Sequence, residues 1–336
     1  MSHQRNKPTI SVAIATFNGA SYISDQIQSI LSQTVLPIEI IICDDLSDDS
    51  TTEIINTIIS QSNVPIYFQI NPKNLGYVKN FEQAISLCKG DIIVLSDQDN
   101  IWFPERLEQY QKEFSSGPNI GLVIGDAIVV DEHINSFGFM LYSKYKLPNA
   151  SPNNVLLDLI KSTWIKGCTI AFLSKYRKYL LPINSDIWGH DHWIVFIMSI
   201  ISNISIINNP LMFLRRHATT TGSDPRIDLS LIGRVQNKIL KLNTHHYRQD
   251  CRRWYDMVKQ LEKIEGMIKF LQIDIRNLWP NRFELVKKRA IFSEIRLELT
   301  SLRKVLRFPH VIKMYITKQY SENGLGIKSA IRDILA

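Results

Sequence analysis

The stretch Ile92-Ile93-Val94-Leu95-Ser96-Asp97-Gln98-Asp99-Asn100-Ile101-Trp102 decides how this chain is read. Its first four residues are apolar and mostly β-branched. The run is too short for a helix and reads as a buried strand. The strand stops at two carboxylates one residue apart. On extended backbone the side chains at i and i+2 point the same way, so Asp97 and Asp99 converge. Such a pair at a strand's C-terminal end suits a hard divalent cation, Mg²⁺ or Mn²⁺, whose other ligands are waters or phosphate oxygens. Taken alone, the stretch reads equally well as a solvated Asp-rich turn. The residues before it decide between the two readings.

Working outward, strand and helix alternate. Thr9 to Ala15 reads as a strand, Thr16 to Gly19 as a turn, and a helix follows with Tyr22, Ile23, Ile27, Ile30 and Leu31 on its apolar face. A second strand, Ile38 to Cys43, runs into Asp44 and Asp45. A second helix spans about Thr51 to Ser60, and Pro65 to Ile70 is a third strand. A third helix carries Val78, Phe81, Ala84, Ile85 and Cys88, and it leads back to the opening stretch. This alternation predicts an α/β unit with a mainly parallel sheet. Ligands of such sheets bind off the carboxyl ends of the strands, where Thr16, Asn18, Asp44, Asp45, Asp97 and Asp99 gather. No GxGxxG follows the first strand and no GxxxxGK[ST] occurs, which argues against a dinucleotide site or a P-loop.

The middle of the chain is less regular. Ile120 to Val130 reads as one or two strands, Thr163 to Phe172 as a strand carrying Gly167, and Pro210 to Leu214 as a short strand leading into Arg215-Arg216-His217. From about Leu229 the pattern turns helical, with Trp254, Met257, Val258, Leu261, Ile264, Ile268 and Leu271 on one face and Pro280 and Pro309 as breaks.

Composition bounds the function. The chain has 336 residues, 45% of them hydrophobic, enough for one large domain or two. Four cysteines without a CxxC pair suggest neither a disulfide framework nor a zinc site, and fit a reducing cytoplasm. The polar N-terminus lacks a signal-peptide core, and the longest apolar window, from Trp193 to about Ile207, is too short and too polar to span a bilayer. The net charge of +7 is unevenly placed. From Leu231 onward 22 Lys and Arg face 10 Asp and Glu, giving +12, so the first 230 residues carry −5. A basic tail of this kind points to a polyanion. An anionic membrane surface suits its amphipathic, aromatic-bearing pattern, whereas no nucleic-acid-binding motif accompanies the charge.

Seven segments together resemble a known family: SVAIATFNGASYISDQIQSILSQT, IIICDDLSDDST, NLGYVKNFEQAI, LSDQDNIWFPERL, KGCTIAF, GHDHWI and LRRH, covering roughly Pro8 to Asp224. Each is weak alone, but their order and spacing resemble the family 2 glycosyltransferases, inverting enzymes of the GT-A fold. The SDQD-x-IW and GHDHW forms are most similar to bacterial rhamnosyltransferase-type members of surface-polysaccharide synthesis. The resemblance implies a GT-A catalytic domain over residues 1–228 and a basic helical region over 229–336. It implies a nucleotide-diphosphate sugar as donor, a divalent metal as cofactor, and a lipid-linked oligosaccharide as acceptor. The site would lie at the cytoplasmic face of the membrane. The donor is expected to be dTDP-rhamnose, with another hexose from a UDP-sugar as the alternative.

The roles implied are as follows. Thr16, Phe17 and Asn18, with Asp44 or Asp45, resemble the part that holds base and ribose, and Lys79 and Asn80 a further nucleotide contact. Asp97 and Asp99 resemble the DxD motif whose metal bridges the two phosphates, with Gln98 between them counted among the donor contacts. Asp191 resembles the catalytic base. Arg215, Arg216 or His217 resembles the cation beside the pyrophosphate. Trp188, His190, Trp193, Gly167 and Cys168 are expected to shape the sugar or acceptor pocket. Two departures from the family pattern are Asn100, where many members have a second acid, and His190, where many have an acid before the base.

Overall fold

A computed structural model describes residues 7–117, 119–143, 165–184, 189–217, 244–270, 279–302, 304–323, 329, 330 and 333. They fall into two compact units, the second beginning, among the described residues, at 244; the expected boundary at 228/229 lies outside those residues.

The first unit is built on one curled, mainly parallel sheet. Strands β1 (Ile10–Thr16), β2 (Glu39–Asp44), β3 (Ile66–Ile70) and β4 (Ile92–Ser96) lie parallel in the order β3-β2-β1-β4. Helices α1 (Ile23–Leu31), α2 (Thr51–Gln61) and α3 (Tyr77–Leu87) connect them. β1, β2 and β4 are buried nearly throughout, as expected of strands covered on both faces. Their register pairs Thr16 with Asp44 and Asp44 with Ile70, so the chain leaves β1, β2 and β3 on one row.

Beyond β4 the sheet continues through β8 (Ile170–Leu173), β6 (Ile120–Val130), β9 (Asn203–Arg215) and the two-residue β5 (Ile101–Trp102), with β7 (Ser136–Met140) on β6. β8 is antiparallel to β4 and to β6, while β9 runs parallel to β6 and antiparallel to β5. β5 starts only five residues after β4 ends, although three strands separate them in the sheet. The sheet must therefore curl until β9 stands beside the turn at 97–100. The β5–β9 register pairs Ile101 with Phe213 and Trp102 with Met212; continued by two residues, it sets Arg215 opposite Asp99. This curl assembles the site.

One expectation is corrected here. Gly167–Thr169 forms one turn of 3₁₀-helix before β8 rather than part of a strand, while Thr163 and Trp164 lie outside the described residues. The apolar window from Trp193 is split between α6 (His190–Ile201) and β9, and ten of the twelve residues of α6 are buried. Helix α4 (Arg106–Ser116) and the short α5 (Arg177–Leu180) complete the unit.

The second unit is helical: α7 (Thr244–Phe270), α8 (Trp279–Leu299), α9 (Lys304–Ile316) and α10 (Gln319–Asn323). Tyr247, Trp254, Met257 and Leu261 are buried at helical spacing along α7. The Asp333 carboxylate accepts from Arg296 Nε and Nη2 at 2.7 and 2.6 Å and from the hydroxyls of Tyr247 and Tyr320 at 2.8 and 2.7 Å. Part of the basic excess of this unit is thus spent in its interior. Pro280 stands at the start of α8, where its missing N–H costs nothing. Pro309, expected to end a helix, lies inside α9. It sits in the second turn, so only one i→i−4 bond, to the carbonyl of residue 305, is lost. No helix among the described residues is long and apolar enough to cross a membrane.

Candidate active site

The loops after β1 and β2 are tied by their own polar residues. Asp44 is fully buried and accepts from the backbone N–H and hydroxyl of Ser47 at 2.8 and 2.5 Å. Asp45 accepts from Asn71 Nδ2, Leu75 N–H and Gly76 N–H at 2.9, 2.7 and 2.8 Å. Both carboxylates therefore shape these loops from within. Asn80 is buried as well; its amide donates to the carbonyls of Thr16 and Cys43 at 3.2 and 2.8 Å, joining the ends of β1 and β2. The Lys79 ammonium is held by Glu82 and by the carbonyl of Ile183, each at 2.8 Å. Asn18, at φ +49°, donates its N–H to Ser47 Oγ and accepts from Asp48 N–H. Leu46 has φ +67°, a left-handed conformation rare for a branched side chain. Held this way, Leu46 and Phe17 stand 49% and 45% exposed on neighbouring loops.

Gln98 clamps the loop after β1 to the acidic turn. Its Oε1 accepts from the Thr16 hydroxyl at 2.6 Å and Phe17 N–H at 2.8 Å, and its amide donates to the Phe17 carbonyl at 3.0 Å. A Cβ on Gly19 would come within 2.4 Å of that Oε1, so the close approach needs glycine there.

Asp97 and Asp99 flank the clamp and face each other's charge. Burial first, and the Asp99 carboxylate next, push Asp97 up to about 7; Asp191 adds to this and Lys166 opposes it. The thiol of Cys168 donates to Asp97 and is itself raised well above its ordinary range by burial and by that carboxylate, so it stays protonated. Asp99 Oδ2 meets His217 Nε2 at 3.0 Å, and the His217 ring lies 4.6 Å from that of Tyr22. Arg215 packs over the same Tyr22 ring and pairs with Asp25 at 3.0 Å. Asn100 is fully buried, and its Oδ1 accepts the Arg215 N–H at 3.2 Å. The departure at Asn100 thus hooks the end of β9 to the acidic turn.

The 166–169 turn closes the other side. Buried Arg106 donates to the carbonyl of Cys168 and lies 4.1 Å from the Trp102 ring centroid, while the Tyr110 hydroxyl donates to the Thr169 carbonyl at 2.7 Å. Asp191 stands in the first turn of α6, where exposed N–H groups favour a negative charge. Its Oδ1 accepts His192 N–H at 2.8 Å. The Tyr77 hydroxyl is close by and is raised by burial and by the Asp191 charge. Gly189, not Asp191, is the N-cap residue of α6.

His190 is packed rather than presented. Its ring stacks on Phe81 at 4.0 Å and presses on Gly167, where a Cβ would lie 2.2 Å from Nε2. Burial lowers it to about 4, so it is neutral at pH 7. The folded state therefore refuses a proton that the unfolded chain accepts near 6.5, and the stability so conferred is lost as pH falls from about 6.5 to 4. Unfolding free energy is expected to drop by about 3 kcal/mol over that window, and by much less in His190→Gln, as read by urea titration at pH 7 and 4.5.

The structure thus brings together Asp97, Asp99, Asp191, Cys168 and His217, with Thr16, Phe17 and Asn18 alongside through Gln98. Trp193 is corrected: it is 2% exposed and its indole N–H donates to the Leu180 carbonyl at 2.6 Å, so it packs in the core rather than lining an open pocket. Arg216 N–H donates to the Val130 carbonyl. Trp188 lies outside the described residues. Sequence reasoning missed Lys166, Tyr77 and Arg106 as individuals, although each stands inside a motif segment quoted above.

The family model for Glycosyl transferase family 2 matches residues 11–165. Over those residues the chain is similar to a family 2 glycosyl transferase domain. Relatives of this chain include the hyaluronan synthase of Pasteurella multocida, 30% identical over 159 residues, which are 47% of this chain and 16% of that protein. The dTDP-rhamnosyl transferase RfbG of Shigella flexneri is 27% identical over 219 residues, 61% of this chain and 71% of that one. Against the relatives matched first, the chain spans between a sixth and about half of their length. Among solved structures, S. aureus TarS 1-349 is similar with a TM-score of 0.53 at 13% identity, covering 97% of this chain and 90% of that one. The mannosyltransferase PcManGT of Pyrobaculum calidifontis, in complex with GDP-Man and Mn²⁺, gives 0.50 at 15% identity, covering 94% and 76%. These likenesses establish the GT-A fold.

Proposed function

We propose that this glycosyl transferase moves a deoxyhexose, rhamnose from a dTDP-sugar, with inversion onto a hydroxyl of a lipid-linked glycan in bacterial surface-polysaccharide synthesis. The observation that carries the reading is that Asp191, from the first turn of α6, comes close enough to the Asp97–Asp99 turn after β4 for the charges to be felt. The similarity to the dTDP-rhamnosyl transferase over most of that protein's length supports the donor.

Among the described residues no group of three or more His, Cys, Asp or Glu is placed to hold a metal. The donor set still suits a divalent cation, because Asp97 and Asp99 repel each other and one is pushed up to about 7. Asp97 and Asp99 would hold it, with phosphate and water completing the shell, and once bound it would offset charge on the leaving diphosphate. The chain's own residues do the rest. Asp191 accepts the proton of the attacking hydroxyl, and His192 N–H keeps its carboxylate oriented. Lys166 brings positive charge to Asp97, where negative charge gathers on the leaving group. Gln98 keeps the Thr16–Asn18 turn against the acidic turn, and Phe17 and Leu46 offer apolar faces to a flat base. The acceptor oxygen bonds to the anomeric carbon as the bond to the diphosphate oxygen breaks and Asp191 takes the hydroxyl proton; this single displacement, without a covalent intermediate, inverts the anomeric centre.

The test is release of nucleotide diphosphate across dTDP-, UDP- and GDP-sugars, with and without Mn²⁺ or Mg²⁺. We expect release from dTDP-rhamnose that depends on the metal. Release from a UDP-sugar instead would change the donor, and donor turnover indifferent to chelator would overturn the metal role.

A further inference from the structure

Helix α9 (Lys304–Ile316) is apolar on two faces. On one face Val311 and Met314 join Phe292, Leu299, Tyr320 and Ala330 in the core of the helical unit. Arg307 fastens that face, donating to the carbonyls of Leu302 and Thr300, each at 2.9 Å. The other face carries Phe308, Ile312, Tyr315 and Ile316 at i, i+4, i+7 and i+8, which is one stripe of a helix. They are 53%, 41%, 50% and 72% exposed, and Leu306 beside them is 56% exposed. Large apolar side chains gathered on one exposed stripe, rather than scattered singly, mark a surface that something covers.

The charge around the stripe says what. Between Glu298 and Glu322 the sequence contains Arg303, Lys304, Arg307, Lys313 and Lys318 and no acidic residue. Lys313 and Lys318 are exposed beside the apolar stripe. A second copy of this chain would bring the same positive charge to the contact. An anionic bilayer instead offers negative headgroups to the lysines and acyl chains to the stripe, the arrangement of an interfacial helix lying in the membrane plane. We propose that α9 docks the protein on an anionic lipid surface, inserting Phe308, Ile312, Tyr315 and Ile316 with Lys313 and Lys318 at the headgroups. The proposal stands on the helix itself and does not rest on the donor chemistry.

Flotation of the full chain with vesicles tests it. The wild type should float with phosphatidylcholine–phosphatidylglycerol vesicles, release at high salt, and remain behind with phosphatidylcholine alone. Ile312→Ser combined with Ile316→Ser should weaken that binding roughly 30-fold, and Lys313→Glu with Lys318→Glu at least tenfold. Both variants should keep the wild-type melting temperature and, without vesicles, the wild-type donor turnover. Equal flotation of variants and wild type, or no flotation of the wild type with the mixed vesicles, overturns the assignment. So does a dimer in sedimentation velocity that Ile312→Ser/Ile316→Ser dissolves, since a second copy would then be the occupant. Flotation without any donor turnover would sink the enzyme reading and leave the docking surface standing.

Discussion

Asp191→Asn is expected to slow transfer by about a thousandfold, within the range that a positioned general base contributes. The substitution is nearly isosteric. The new amide oxygen can still accept the His192 N–H that Asp191 Oδ1 accepts at 2.8 Å, so the first turn of α6 keeps its hydrogen bond. A carboxamide cannot take the acceptor's proton, so the loss should fall on kcat. The dissociation constant for donor and the melting temperature should both stay close to wild type. The competing account is that Asp191 merely favours a helix start, since acids suit that position. Under it Asp191→Asn would keep most of the rate, because Asn serves nearly as well at a helix N-terminus. A rate within threefold of wild type, with folding intact, would remove Asp191 from the role of base. The neighbouring Tyr77 gives an internal check: with the Asp191 charge gone, the tyrosine should titrate at lower pH than in the wild type.

What could be read from the sequence divides by the range of the interaction. The parallel strands and their helices follow from runs of β-branched residues and from helical spacing, both local signals, and they lie where expected. Asp97 and Asp99 were legible because two residues on one strand end carry their own geometry. The pairing of Asp99 with His217 was not, because it depends on a curl that sets β5 against β9 across more than a hundred residues. Asp45 and Asn80 have a use that their residue types did not announce. Their side chains satisfy backbone N–H and carbonyl groups of the loops and strand ends beside them, contacts that join segments apart in sequence. Gly167 read as a strand glycine; it is a 3₁₀ residue that admits the His190 ring, a contact between distant segments that no local pattern records.

The second large effect is at Asp97, and it separates stability from activity. In chelator-treated wild type, burial and Asp99 push the Asp97 carboxyl up to about 7, above the 3.8 of an unperturbed aspartate. A group whose folded value is raised confers stability at low pH and loses it as pH climbs from about 4 through 7. Above pH 7 the metal-free protein therefore holds two facing carboxylates at a cost. Asp97→Asn removes one charge and keeps the shape, so at pH 8 the chelated variant should unfold later than chelated wild type, by about 2 kcal/mol. The difference should vanish near pH 4. Mn²⁺ should reverse the order by raising the wild-type midpoint and leaving the variant nearly unmoved, because binding to the native state alone stabilises it. Transfer by the variant should fall by roughly a thousandfold or more, since the leaving diphosphate loses its counter-charge. Thermal melts at two pH values with and without Mn²⁺, set beside the transfer rate, read all of this in one protein preparation. A variant less stable than wild type when both are chelated at pH 8 would mean that Asp97 is held by favourable contacts, the Cys168 thiol foremost, and not strained against Asp99. A Mn²⁺-dependent midpoint that survives the substitution would place the cation elsewhere, and the pairing of Asp97 with Asp99 would then be structural.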